Sequence, residues 1–351
     1  MSQGNTPFTE VSTLGEFKLI EHLTASFSPM QDSSKKAIGD DAAVLDFNGQ
    51  KTVISVDTMT EEVHFDLHYT PLKHLGYKSI VMAISDILAM NVMPSQVLVS
   101  VAVSARYSVE MLEKLFDGMR AACETYEVDL VGGDTTSSNA GLMINVTAIG
   151  SEKEADLIAY RSGAKPKQVV AVTGVLGGAY LGLQILEREK RVFLANPDIQ
   201  PDLSGHDYIL EQQLKPDLPI EVVRHLRAKK IVPAAMMDIS DGLASELMHI
   251  ARASKVGMKI FEKQIPLHPK AVETARNLHL DPTVCALNGG EDYELLCVFP
   301  VEVFEKLEEK LGLYAIGYTT PPEEGVKLTT NSGNTHDIEA QGWQHFKPAD
   351  S

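Results

Sequence analysis

The chain has 351 residues, 48 acidic and 31 basic, and a formal net charge of −17. That charge argues against non-specific binding to nucleic acid or to an anionic membrane, whose phosphates it would repel. Any phosphate chemistry here must act locally, through metals or backbone amides. A 44% hydrophobic fraction and the absence of an 18-residue apolar run indicate a globular, non-membrane protein of about two domains. Cys123, Cys285 and Cys297 form no Cys-x-x-Cys pair and read as small buried hydrophobes. The first residues have neither the basic nor the apolar stretch of a secretory signal, so the expected location is the cytoplasm.

Helical spacing of apolar residues predicts helices over 14–28, Leu72 to Met90 and Val109 to Tyr126. Strands are predicted at Thr52 to Val56, running into Asp57, at Gln96 to Val103, at Asp129 to Val131 and at Leu142 to Ile149. A second series opens after the turn Arg161 to Lys167. It has a strand at Val169 to Thr173, a helix from Gly178 to about 190, helices at 219–229, 241–254 and 301–311, and strands at 257–261, 294–299 and 313–318. Residues 191–219, with four prolines, read as a long excursion or loop. The pattern is α/β with α+β layers, and the predicted domains are 1–150 and 151–351.

The chemistry is signalled by where the aspartates fall. They stand beside glycines and at predicted element ends: Asp40-Asp41, Asp57, Asp86, Gly133-Asp134 and Asp238-Ile-Ser240-Asp241-Gly242. Converging carboxylates repel one another unless cations neutralise them. Magnesium takes one or two carboxylates and fills its other positions with water and substrate phosphates, so single aspartates on separate segments suit several Mg²⁺ ions around a nucleotide. Asp238 and Asp241 could equally be helix caps. Asp86 is different, because it interrupts an apolar helix, where a carboxylate is costly unless paired or metal-bound. Gly132-Gly133-Asp134 admits either a phosphate-holding backbone or a tight turn. Gly174-Val-Leu-Gly177-Gly178 lacks the Lys-Ser/Thr of a P-loop and reads as close packing at a helix start. Gly289-Gly290-Glu291-Asp292 is a ligand contact or a charged turn. No zinc spacing, nucleophile elbow or catalytic cysteine context occurs, so no covalent nucleophile is expected.

In order, Ile38 to Leu45, Ser55-Val-Asp57-Thr58 with Val63-His64-Phe65, Leu75 to Lys78 with Ser85 to Met90, Gly132 to Thr135, Arg161 to Pro166, Asp238 to Leu243 and Gly289 to Glu294 resemble the thiamine-monophosphate kinase family. The resemblance runs from about residue 14 to Phe346. It implies ATP-dependent phosphorylation of thiamine monophosphate to thiamine diphosphate. It also implies a two-domain fold like that of aminoimidazole ribonucleotide synthetase, with N-terminal domains pairing into a homodimer around a composite barrel. Carried over, the Mg²⁺ ligands are Asp41, Ser55, the backbone of Val56, Asp57, Asp86, Asp134, Asp238 and Asp241. Gly133, Asp134, Arg161 and Ser240 would meet ATP. His64, Glu291 and Trp343 would meet thiamine monophosphate. Glu62 stands where the family has Gly, and Asn91 replaces another Gly; Asn tolerates left-handed geometry.

Phosphoryl transfer of this kind needs positioning and charge neutralisation more than a side-chain nucleophile. The attacking oxygen is a substrate phosphate, already ionised, and in-line transfer is expected. Rival readings are a second ATP-dependent enzyme of the same superfamily, such as aminoimidazole ribonucleotide synthetase, and a non-catalytic nucleotide- or metal-binding protein. The first is disfavoured because Thr58-Met-Thr-Glu-Glu replaces the Gly-Val-Gly-Thr-Lys run that sequences of that type carry after the first strand's Asp.

Overall fold

Thirteen strands form two sheets in the computed structural model, which describes residues 34–36, 40–307 and 311–340. The helix expected over 14–28 lies outside them. The first sheet contains β1 (Ser34–Lys36), β2 (Ala43–Phe47), β3 (Gln50–Thr60), β4 (Pro94–Val103), β5 (Asp129–Ser137) and β6 (Met143–Glu152). Their order is β1-β2-β3-β6-β4-β5, with only β4 and β5 parallel. Two helices fall within this stretch, α1 (Leu72–Ala89) and α2 (Val109–Tyr126). They cross at two glycines. A Cβ on Gly76 would lie 1.9 Å from the Leu115 carbonyl oxygen, and one on Gly118 would lie 1.8 Å from that of Lys73.

The second sheet is β7 (Val169–Thr173), β8 (Ala235–Ile239), β9 (Gly257–Phe261), β10 (Glu294–Phe299), β11 (Leu313–Thr320), β12 (Val326–Thr329) and β13 (Thr335–Asp337). It runs β13-β12-β9-β11-β7-β10-β8. Around it stand α3 (Gly178–Ala195), α4 (Asp207–Leu214), α5 (Ile220–Ala228), α6 (Leu243–Ser254), α7 (Pro269–Asn277), α8 (Pro282–Asn288) and the single turn α9 (Val301–Phe304).

The two sheets share a core through α1. This helix is buried almost all round, as expected of one without a polar face. It packs on β3, β4 and β6 of the first sheet and on β8 of the second. Alternation along β10 shows how one strand serves two layers. Leu295, Cys297 and Phe299 belong to the core around α1, while Leu296 and Val298 belong to the core under α6. The same parity on β8 puts Met236 in the α1 core and Ala235, Met237 and Ile239 in the other. Asp238 therefore faces α1.

Several predicted elements need correction. The strand at Thr52 continues through Asp57 to Thr60, so Asp57 sits inside a ladder with β6 rather than after a strand end. The strand at Asp129 runs through both glycines to Ser137, because β4 supplies a parallel partner along its whole length. The excursion at 191–219 is partly helical: α3 extends to Ala195, and α4 occupies Asp207–Leu214. The helix expected at 301–311 forms one turn, with 308–310 outside the described residues. Strand β8 carried no alternation to announce it, because it is buried on both faces.

Candidate active site

Asp41, Asp86 and Asp238 converge at the junction of the two sheets, with one carboxylate oxygen from each lying within 4.8 Å of the others. They come from three places in the chain: the residues before β2, the last turn of α1, and β8. Asp57 joins them electrostatically from β3, whose alternation turns Val53, Ser55, Asp57 and Met59 to the α1 side. Serines fix the carboxylates. Ser85 Oγ donates to Asp238 Oδ2 at 2.7 Å, and Ser55 Oγ donates to Asp86 Oδ2. Arg161 grips Asp41 with two bonds of 2.8 Å, from Nε and Nη2, and its backbone N–H donates to Asp40.

One guanidinium does not balance these acids. Burial, then the carboxylates of Asp57, Asp238 and Asp41, push Asp86 well above the usual range. Burial and Asp41 raise Asp238 to about 7. Burial raises Asp57 to about 6. For Asp41, burial outweighs the lowering by Arg161. A hard divalent cation fits this donor set: the ligands are all oxygens, they come from separate elements, and their mutual repulsion is unrelieved without added positive charge. Helix capping does not account for Asp238, which lies inside β8. The residue before α6 is Gly242, and no side chain caps it.

The loop after β8 is held from below. Glu246 is buried on α6, and its Oε1 accepts from the Asp241 backbone N–H at 3.0 Å. The Ser240 carbonyl accepts from Glu291 N at 2.7 Å, so this loop and the turn before β10 are fixed together. That turn is left-handed at Gly290, Glu291 and Tyr293. Such a φ is unusual for a bulky residue like Tyr293, and geometry of this kind concentrates at functional sites.

Two further predicted residues lie around one narrow cleft. His64, whose Nδ1 accepts from Thr60 N at 3.0 Å, lines it together with Met59, Phe65, Lys78 and Gln213. Glu291 joins through Lys78, at 2.9 Å, and Gln213, at 2.8 Å. Glu62 adopts the left-handed turn before His64 with φ 66°, and Asn91 adopts one after α1 with φ 56°, so both substitutions keep a glycine-like backbone.

Other predicted residues stand apart. Gly133 and Asp134 lie on β5, an exposed edge strand separated from β3 by β6 and β4. Val56 turns its side chain to the sheet face away from α1 and is 59% exposed. Arg161, by contrast, lies within the aspartate cluster, engaged with Asp41. Trp343 lies outside the described residues. Sequence reasoning missed Ser85, Lys78 and Gln213 as parts of the site. Lys78 carried the same signal as Asp86, a charge inside an apolar helix; Gln213 carried none.

Residues 39–151 match the AIR synthase related protein, N-terminal domain, and residues 165–328 match the C-terminal domain of the same family. The chain is 36% identical over 340 residues to the thiamine-monophosphate kinase of Bacillus subtilis (strain 168), covering 95% of this chain and all of that one. It is 30% identical to the enzyme of that name from Aquifex aeolicus (strain VF5), covering 95% and 98%. Among solved structures, AaThiL complexed with AMPPCP and TMP superposes with a TM-score of 0.81 at 29% identity, covering 97% of this chain and 99% of that one.

Proposed function

We infer the activity from one premise: the chain belongs to the AIR synthase related proteins and, within them, to the thiamine-monophosphate kinases. It is a thiamine-phosphate kinase that uses ATP to convert thiamine monophosphate to thiamine diphosphate. The observation that carries this reading to the chain's own residues is the convergence of Asp41, Asp86 and Asp238 beside Asp57.

Transfer is direct and in line, with a phosphate oxygen of thiamine monophosphate as the nucleophile. No protein base is needed, because that oxygen is already ionised. Asp41, Asp57, Asp86 and Asp238, with Ser55, Asp134, Asp241 and the Val56 carbonyl, are assigned to several Mg²⁺ ions. Bound Mg²⁺ neutralises the two approaching anions. Ser55, Ser85 and Arg161 keep the carboxylates oriented before substrate arrives, so little reorganisation remains for the reaction itself. Gly133, Asp134, Arg161 and Ser240 are assigned to ATP, and His64, Glu291 and Trp343 to thiamine monophosphate.

The domain division is placed at 150/151, close to the gap between the two family matches. A homodimer is supported by the nine exposed residues of β5 at the sheet edge and by Leu130, Val131 and Val56, apolar side chains left in solvent. Light scattering should return about twice 38.3 kDa; a clean monomer under assay conditions would overturn the dimer. No described helix is long and apolar enough to cross a membrane, and a cytoplasmic location suits the buried free thiols of Cys285 and Cys297.

The activity is tested by following ADP release and thiamine diphosphate formation with both substrates present, with and without Mg²⁺. ATP consumption that ignores thiamine monophosphate would sink the reading.

A further inference from the structure

A buried ammonium stands where the phosphoryl-transfer chemistry has no use for one. Lys78, on α1, is 4% exposed. Its Nζ donates to the Gln213 carbonyl at 2.9 Å and pairs with Glu291 Oε1 at 2.9 Å. The second oxygen of Glu291 accepts from Gln213 Nε2 at 2.8 Å. Glu291 is thus held by α1, by α4 and by its own left-handed turn, yet its side chain keeps solvent access. Gln213 Oε1 is buried and has no hydrogen-bond partner. Lys78 and Gln213 also line the narrow cleft that His64 enters.

Thiamine monophosphate offers two things to such a group, a cationic thiazolium and a pyrimidine bearing an amino group. A free carboxylate would attract the cation. A carboxylate already paired with a buried ammonium carries no net charge for that purpose, but its remaining lone pairs still accept hydrogen bonds. We propose that Lys78 and Gln213 are positioning residues that hold and neutralise Glu291, so that it meets the substrate as a fixed acceptor for the pyrimidine amino group, not as a counter-ion for the thiazolium. The proposal rests on the reading that Glu291 touches thiamine monophosphate.

Steady-state kinetics on Glu291→Gln, Lys78→Met, Gln213→Met and the double variant Lys78→Met/Glu291→Gln test it. Lys78→Met and Gln213→Met should each raise KM for thiamine monophosphate about tenfold, equivalent to about 1.4 kcal/mol. The KM for ATP should stay unchanged and kcat within about twofold, a split that mere loss of folded protein would not produce. The double variant leaves no buried charge unpaired, so it guards against a fold defect in Lys78→Met. Its KM should equal that of Glu291→Gln alone, because residues acting through one group are not additive. If Glu291→Gln leaves KM for thiamine monophosphate unchanged, the underlying assignment of Glu291 fails. If Glu291→Gln raises it while Lys78→Met leaves it unchanged or lowers it, Glu291 acts as a counter-ion and the proposal is overturned. Additive effects in the double variant overturn it as well.

Discussion

Asp86 and Lys78 are charged side chains on the same buried helix, about two turns and roughly 12 Å apart. Their surroundings are opposite. Lys78 meets a carboxylate, an amide carbonyl and a narrow cleft, so its charge is cancelled within the protein. Asp86 meets Asp41, Asp57 and Asp238, and its hydrogen-bond partner Ser55 is neutral. Burying a charge is costly unless it is paired. The Lys78 end meets that requirement from within the protein. The Asp86 end does not, and so is built to receive positive charge from outside. On the proposed assignments, one helix thereby carries a self-neutralised recognition end and a charge-deficient transfer end.

The largest expected effect breaks the transfer end. Asp86→Asn keeps the shape of the side chain and removes the charge. Turnover should fall by at least about a hundredfold through lost charge stabilisation, while the melting temperature without metal should hold or rise, because like-charge repulsion is relieved. Near-normal turnover in saturating Mg²⁺ would remove Asp86 from the metal set.

Next in size is the pH dependence of the metal-free protein. Asp57 and Asp238 are raised in the folded state to about 6 and about 7 from an ordinary 3.8. Groups raised in this way favour the folded state when protonated. Their contribution is complete below about pH 4 and is lost as pH climbs through 6 to 7. Denaturant melts without metal should therefore lose stability across that window, and saturating Mg²⁺ should flatten the loss. A stability that rises from pH 4 to 7 in the absence of metal would contradict the charge-deficient reading of this end.

The smallest effect belongs to the recognition side. Glu62 holds a left-handed φ two residues before His64. Left-handed geometry costs an L-residue about 1–2 kcal/mol, and glycine loses roughly 0.5–1 kcal/mol in chain entropy. Glu62→Gly should therefore stabilise the fold by at most about 1.5 kcal/mol, read by thermal melts, with KM for ATP unchanged. A loss of stability would mean that the Glu62 side chain contributes more than its backbone strain.

How much of this was legible in the sequence varied along α1. Asp86 announced itself because a carboxylate inside an apolar run has few explanations. Helix boundaries at Val109 to Tyr126 and strands such as Val169 to Thr173 followed from periodicity and β-branched content. Strand β8 did not, since burial on both faces erases alternation. Helix α4 was hidden by the surrounding prolines and mixed charge, and with it Gln213. The turn Gly289 to Glu294 read as a ligand contact or a hairpin, and only packing tied it to α1 and α4.

The sequence by itself determined which residue types were available for chemistry: aspartates beside glycines, no motif for a covalent nucleophile, and a chain too acidic to hold phosphates by surface charge. Those are local facts, set by composition and by neighbours a few positions apart. The tertiary structure decided which of them meet. Asp41, Asp86 and Asp238 are distant in the chain and converge because α1 packs between two sheets while β8 turns alternate residues towards it. Lys78 is neutralised because α4 returns across α1 and a left-handed turn presents Glu291. Such pairings depend on contacts between elements far apart in sequence, and the free energy of a buried charge is set by those contacts rather than by the residues that flank it.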